Sequence, residues 1–164
     1  MKNLLSLLLI TALISCNKQA PQSIIKTEDE LTANIELLME KYVNNDFDVS
    51  NYYADDVLCK INNFEFSGYE NLIPGFKAHH ENLYTNINIK DLKVHTNYFA
   101  DGEVWSNAWF TWTGTGKTTG TDYSNRGHFD YKWEDGKIVE LLAYYSETAE
   151  MTETAAFKAA TQEK

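Results

Sequence analysis

The apolar positions of the chain change period twice. Leu4 to Leu13 is an almost unbroken apolar run behind a single Lys2, too short to span a bilayer as a stable helix. After a polar stretch containing Pro21, Leu31, Ile35, Leu38 and Tyr42 recur at i, i+4, i+7 and i+11, which is one face of a helix. Thr27 and Glu30 have the form of a capping box that opens it, and Asn44-Asn45-Asp46 should end it. Val57 to Ile61 and Phe64 to Phe66 read as short strands. A second box, Ser67-x-x-Glu70, predicts another helical stretch to about Tyr84, kinked at Pro74-Gly75. From Ile87 onward the period is two. Asp101-Gly102 and Asp135-Gly136 stand between long strand-like runs, as tight hairpin turns require. Two-residue turns would place Tyr98 opposite Trp105 and Val94 opposite Trp109. In the second hairpin they would place Trp133 opposite Ile138, Asp130 opposite Leu141 and His128 opposite Ala143. Glu150 to Lys164 reads as a short C-terminal helix or a fraying tail, packed through Met151 and Phe157.

Helices followed by long antiparallel hairpins indicate an α+β domain. Composition narrows its partners. The 164 residues carry 14 Lys+Arg against 24 Asp+Glu, a net charge of -10, which leaves no basic surface for nucleic acid. Two cysteines and four scattered histidines offer no metal cage, so neither a metal site nor a cofactor is expected. Gly114-Thr115-Gly116-Lys117-Thr118-Thr119 imitates a phosphate-binding loop, but Thr111 stands where the first glycine belongs and a strand follows in place of a helix.

Leu13-Ile14-Ser15-Cys16 resembles the lipobox of bacterial lipoproteins. That resemblance implies removal of residues 1–15, acylation of Cys16, and a membrane-tethered protein on the exported side of the bacterial cell envelope. Residues 16–26 would form a tether and 27–164 a single domain. Cys59 would then be the sole free thiol, expected in the core.

Within the domain, Tyr52-Tyr53-Ala54-Asp55-Asp56-Val57, Gly68-Tyr69-Glu70-Asn71-Leu72, Gly114-Thr115-Gly116 and Glu134-Asp135-Gly136-Lys137-Ile138 follow in an order and spacing that resembles SnoaL-like proteins of the nuclear transport factor 2-like superfamily. The resemblance implies a cone: a strongly bent antiparallel sheet packed against N-terminal helices, with a pocket between them. It also implies a position where enzymes of this family commonly carry a catalytic aspartate. Here that position is Ser146, which cannot do a carboxylate's acid/base work near neutral pH.

The candidate site residues are of two kinds. Arg126, His128, Asp130 and Lys132 share one strand face; if it lines the cone, His128 and Asp130 form a base and its orienter, and Arg126 an anion contact. Tyr53, Trp109 and Tyr145 offer rings to an apolar ligand, and one of His79 and His80, with His80 preferred, reaches the pocket. The leading expectation is a pocket binding a small hydrophobic or aromatic ligand without catalysis. One alternative is an isomerase, dehydratase or cyclase using His128 and Asp130. Another is an interaction module that forms a homodimer through a second apolar sheet face carrying Trp105 and Trp109.

Overall fold

The computed structural model describes residues 22–162. The signal-like run and Cys16 lie outside them. The elements in chain order are β1 (Ile24–Lys26), α1 (Glu30–Val43), β2 (Tyr53–Ile61), β3 (Phe64–Ser67), α2 (Tyr69–Ala78), a π-helical turn (His79–Leu83), β4 (Tyr84–Tyr98), β5 (Val104–Gly116), β6 (Asp122–Glu134), β7 (Lys137–Tyr145) and α3 (Thr148–Gln162). The strands form one sheet in the order β1-β4-β5-β6-β7-β2-β3. The β2–β7 pair is parallel and every other pair antiparallel, so the expected antiparallel sheet is mixed. The sheet begins at Ile24, inside the stretch expected to be tether.

α1 starts later than its capping box. Asp29 is the cap, its carboxylate accepting from the Thr32 backbone N–H at 2.8 Å and from Tyr98 Oη at 2.6 Å. The first bond satisfies a free helix-end donor, and the second fixes the helix over β4. The predicted face is the buried one: Ile35 is fully buried and Leu38 nearly so. α2 runs through Pro74 without ending, and its break comes at the π-helical turn that carries both His79 and His80.

The two hairpins differ. Asp135 (φ 49) and Gly136 (φ 75) form the two-residue turn, with Trp133 opposite Ile138 as expected. In the first hairpin Phe99 N–H donates to the Glu103 carbonyl and Gly102 N–H to the Phe99 carbonyl, so Ala100, Asp101 and Gly102 are all loop. Gly102, at φ 97, occupies the left-handed position such a three-residue loop needs. Asn97 therefore faces Trp105 and Val94 faces Ala108, one step from the expected register.

Bulges bend the sheet. β4 slips register around Asn86 and again around Asp91, both at φ 54, and β7 slips where Trp133 pairs with Ile138 but Lys132 with Glu140. Each extra residue kinks its strand and tightens the twist. The curled sheet closes around α1 and α2, and Ile35, Val57, Cys59, Ile138 and Leu141 fill the space between. Burial pushes the Cys59 thiol up to about 12, which keeps it unreactive.

A buried polar chain crosses this core. Trp133 Nε1 donates to Ser106 Oγ at 2.9 Å. Ser106 lies 2.8 Å from Thr96 Oγ1, Thr96 lies 3.0 Å from Thr32 Oγ1, and Thr32 reaches the Lys26 carbonyl at 3.5 Å. Because the indole can only donate, each hydroxyl in turn accepts from one side and donates to the next, ending on a carbonyl. The chain ties β6, β5, β4 and α1 together. Ser106→Ala strands the Trp133 N–H and is expected to cost about 1–3 kcal/mol in urea unfolding. A loss within about 0.5 kcal/mol would show that the chain contributes little.

Candidate functional site

The concave face of the sheet, α1, α2 and the start of α3 enclose a cavity of about 110 Å³, the order of size that admits a single aromatic ring. Its walls are aromatic: Phe47, Phe76, Tyr84, Phe110, Trp112 and Phe129. β5 and β6 present these rings because alternate residues of a strand share a face. Gly127 makes the packing possible, since a Cβ there would sit 2.6 Å from the Phe110 ring.

The polar groups gather around Tyr42. Trp112 Nε1 donates to Tyr42 Oη at 3.0 Å, and Tyr42 Oη lies 3.0 Å from His79 Nδ1. With the indole occupying one acceptor position, the tyrosine hydroxyl is free to donate to Nδ1, which leaves the imidazole proton on Nε2. Burial lowers the His79 pKa more than the nearby Glu150 raises it, so the ring is neutral at neutral pH. Burial also pushes the Tyr42, Tyr53 and Tyr145 hydroxyls well above the ordinary phenol range, so all three stay protonated. Tyr145 Oη donates to Glu150 Oε2 at 3.0 Å. Glu150 stands on the first turn of α3 and brings a carboxylate to the cavity.

Of the residues singled out in the sequence, Tyr53 and Tyr145 line the cavity, and Arg126 borders it on the strand face of His128, its side chain exposed. Ser146 lines it as well. His80 does not; its neighbour His79 does. His80 packs edge-on against Tyr42 and Phe47, and its Nε2 is buried without a hydrogen-bond partner. Trp109, His128 and Asp130 lie on the opposite, convex face. There Trp109, 42% exposed, is stacked between His95 (ring centroids 5.0 Å) and His128 (4.6 Å). His128 Nε2 is 2.8 Å from Asp130 Oδ1 without hydrogen-bond alignment, and Asn107 Nδ2 donates to the same oxygen.

The condition attached to the His128–Asp130 pair, that its face line the cone, is thus not met. The expected pairing of that face with Leu141 and Ala143 fails at the β7 bulge. Asp130 pairs with Leu142 and His128 with Tyr144, so the aliphatic Leu141 and Ala143 fall on the other face, with Tyr131 and Phe129. Tyr42, Trp112 and Glu150 were missed, and of the two histidines it is His79, not the preferred His80, that lines the cavity. Tyr42 and Trp112 read as ordinary core rings. Parity along β6 is the signal that finds the right face, because Phe129, Tyr131 and Trp133 alternate with the polar residues.

Comparison with solved structures gives the same fold. A candidate polyketide cyclase from Pseudomonas putida superposes with a TM-score of 0.63 at 18% identity, covering 77% of this chain and 98% of that one. A candidate isomerase from Bacillus subtilis gives 0.61 at 14%, covering 76% and 91%. A nuclear transport factor 2-like protein from Anabaena variabilis gives 0.57 at 16%, covering 71% and 86%. No curated protein matches the chain. The sequence pattern of the SnoaL-like domain matches residues 38–141, and with the cone-shaped α+β fold around an aromatic cavity, the chain belongs to the SnoaL-like domain family.

Proposed function

We propose that this protein binds a small hydrophobic or aromatic ligand in its cavity, while an acyl chain on Cys16 holds it to a membrane on the exported side of the bacterial cell envelope. The observation that carries the ligand reading is the ring-lined cavity itself. Burying one aromatic ring there removes apolar surface from water on both sides, at roughly 25 cal/mol per Å². The site holds no carboxylate at position 146, and His128 and Asp130 face away from it. Binding without turnover therefore fits better than the acid/base chemistry expected of that pair. A binding screen with single-ring compounds, read by the thermal midpoint, tests this. Saturable stabilisation supports it, and none across the screen contradicts it.

The lipobox-like Leu13-Ile14-Ser15-Cys16 supports the anchor. Among the described residues no helix is long and apolar enough to cross a membrane. Cys16→Ser is expected to move the protein from the membrane fraction to the soluble one. Identical fractionation of the two forms would contradict acylation at this residue.

A second reading draws on the convex face. Trp109 and Tyr144, 42% and 49% exposed, form a ring row on a sheet surface that a second copy can cover as a homodimer. Sizing with light scattering tests it. Monomers at high concentration would contradict it.

A further inference from the structure

The cavity walls are mostly apolar, and the charge of their few polar groups constrains the ligand. Glu150 receives a single hydrogen bond among the described residues, from Tyr145 to Oε2. Among the described residues its Oε1 has no donor and no cation paired to it. The nearby imidazole of His79 is neutral, so it is no counter-ion. Asp46, also at the cavity, is paired to Lys41. Arg126 borders the cavity, but its side chain is exposed on the strand face of His128, where water and salt screen it.

The N-terminus of α3 favours this half-buried carboxylate, but its second oxygen remains an open hydrogen-bond acceptor. A neutral apolar ligand seated against it strips water from Oε1 and returns nothing, so that desolvation opposes binding. An anionic ligand adds repulsion. A cationic ligand reverses the sign: its N–H groups supply the missing donors as charge-assisted bonds. Tyr42, Tyr84 and Trp112 stand among the cavity walls, and aromatic rings attract a cation that reaches their faces. The chain's net charge of -10 also raises the local concentration of cations around it.

We infer that the ligand is an arylalkylamine in its protonated form, its ring between the aromatic walls and its ammonium donating to Glu150 Oε1. This rests on the ligand-binding reading of the cavity and names the class of molecule it takes.

The test uses benzylamine, benzyl alcohol and benzoate, three single-ring probes that differ in the charge of one group, titrated into the protein and its Glu150→Gln variant. Benzylamine is expected to bind the wild type at least about tenfold more tightly than benzyl alcohol, with benzoate weakest. Glu150→Gln is expected to erase the preference for the amine while benzyl alcohol still binds. Asp46→Asn is expected to keep that preference. Equal affinity for amine and alcohol, or an amine preference that survives Glu150→Gln, overturns this inference and leaves the ligand-binding cavity standing. Failure of all three probes to bind at millimolar concentration overturns the cavity reading as well.

Discussion

Glu153→Ala is expected to cost the fold about 3 kcal/mol and to loosen α3 from the sheet. Glu153 is fully buried. Its carboxylate accepts from the Thr118 N–H at 3.2 Å, the Thr119 N–H at 3.4 Å, Tyr123 Oη at 2.9 Å and the Thr119 hydroxyl. Alanine removes the acceptor from four donors at once and leaves a void where the buried carboxylate stood under an exposed loop. The loop is built for the carboxylate: a Cβ on Gly116 would fall 2.0 Å from Glu153 Oε1. The glycine-threonine run that imitates a phosphate-binding loop therefore does bind an anion, and the anion is the chain's own. Successive backbone N–H groups favour any negative charge placed among them.

This site also has a pH signature. Burial alone would raise the Glu153 pKa, but the hydrogen bonds from Thr119, Tyr123 and the two backbone amides outweigh it and hold it below the ordinary 4.5. A carboxyl group with a lowered folded-state pKa stabilises the fold above its unfolded value. That contribution fades as the pH falls through the folded one. Urea unfolding between neutral pH and pH 3 is expected to show a loss in the wild type below about pH 4.5 that is smaller in Glu153→Gln, the remainder coming from Asp29, Asp46 and Glu103, whose carboxyls are also held low. Parallel acid profiles for the two proteins would mean that Glu153 is not the group responsible.

Ala149→Leu is expected to abolish ligand binding while preserving the fold. Ala149 is 3% exposed, sits on the first turn of α3 and lines the cavity. Three added carbons there occupy space a single ring needs. Affinity for single-ring compounds should fall by more than about tenfold, since little of the ring's surface can then be buried. Filling an existing cavity commonly stabilises, so the thermal midpoint should hold or rise by a few degrees. Unchanged affinity in Ala149→Leu would place the ligand somewhere other than this cavity. Met151→Leu, at a 67% exposed position on the same helix, serves as the control and should alter neither quantity.

How much of this was legible in the residues depended on the range of the interaction that decides each feature. The α1 face and the Asp135-Gly136 turn follow from local periodicity and turn chemistry, and both were readable. The curl of the sheet depends on bulges at Asn86 and Asp91, where non-glycine residues take positive φ without a local signature. The bulge in β7 had the largest consequence, because one extra residue exchanges the faces of everything beyond it. It set Leu141 and Ala143 beside Tyr131 and Phe129, on the face opposite to His128 and Asp130. α3 was legible only as a weak helix, since Met151, expected to pack, is exposed, while Phe157 packs in part. Its anchor is a glutamate, and no hydrophobic pattern announces a buried acid whose partners lie in a distant loop.

The central claim is that a ligand sits among the rings of the concave face. The indole N–H of Trp112, bonded to Tyr42 at the cavity, and that of Trp109, stacked on the convex face, report separately in a two-dimensional nitrogen–proton spectrum. During titration with benzylamine, the Trp112 signal is expected to shift and saturate while the Trp109 signal stays in place. A saturable shift at Trp109 with Trp112 unmoved would contradict the account, and so would the absence of any shift at Trp112 at millimolar ligand.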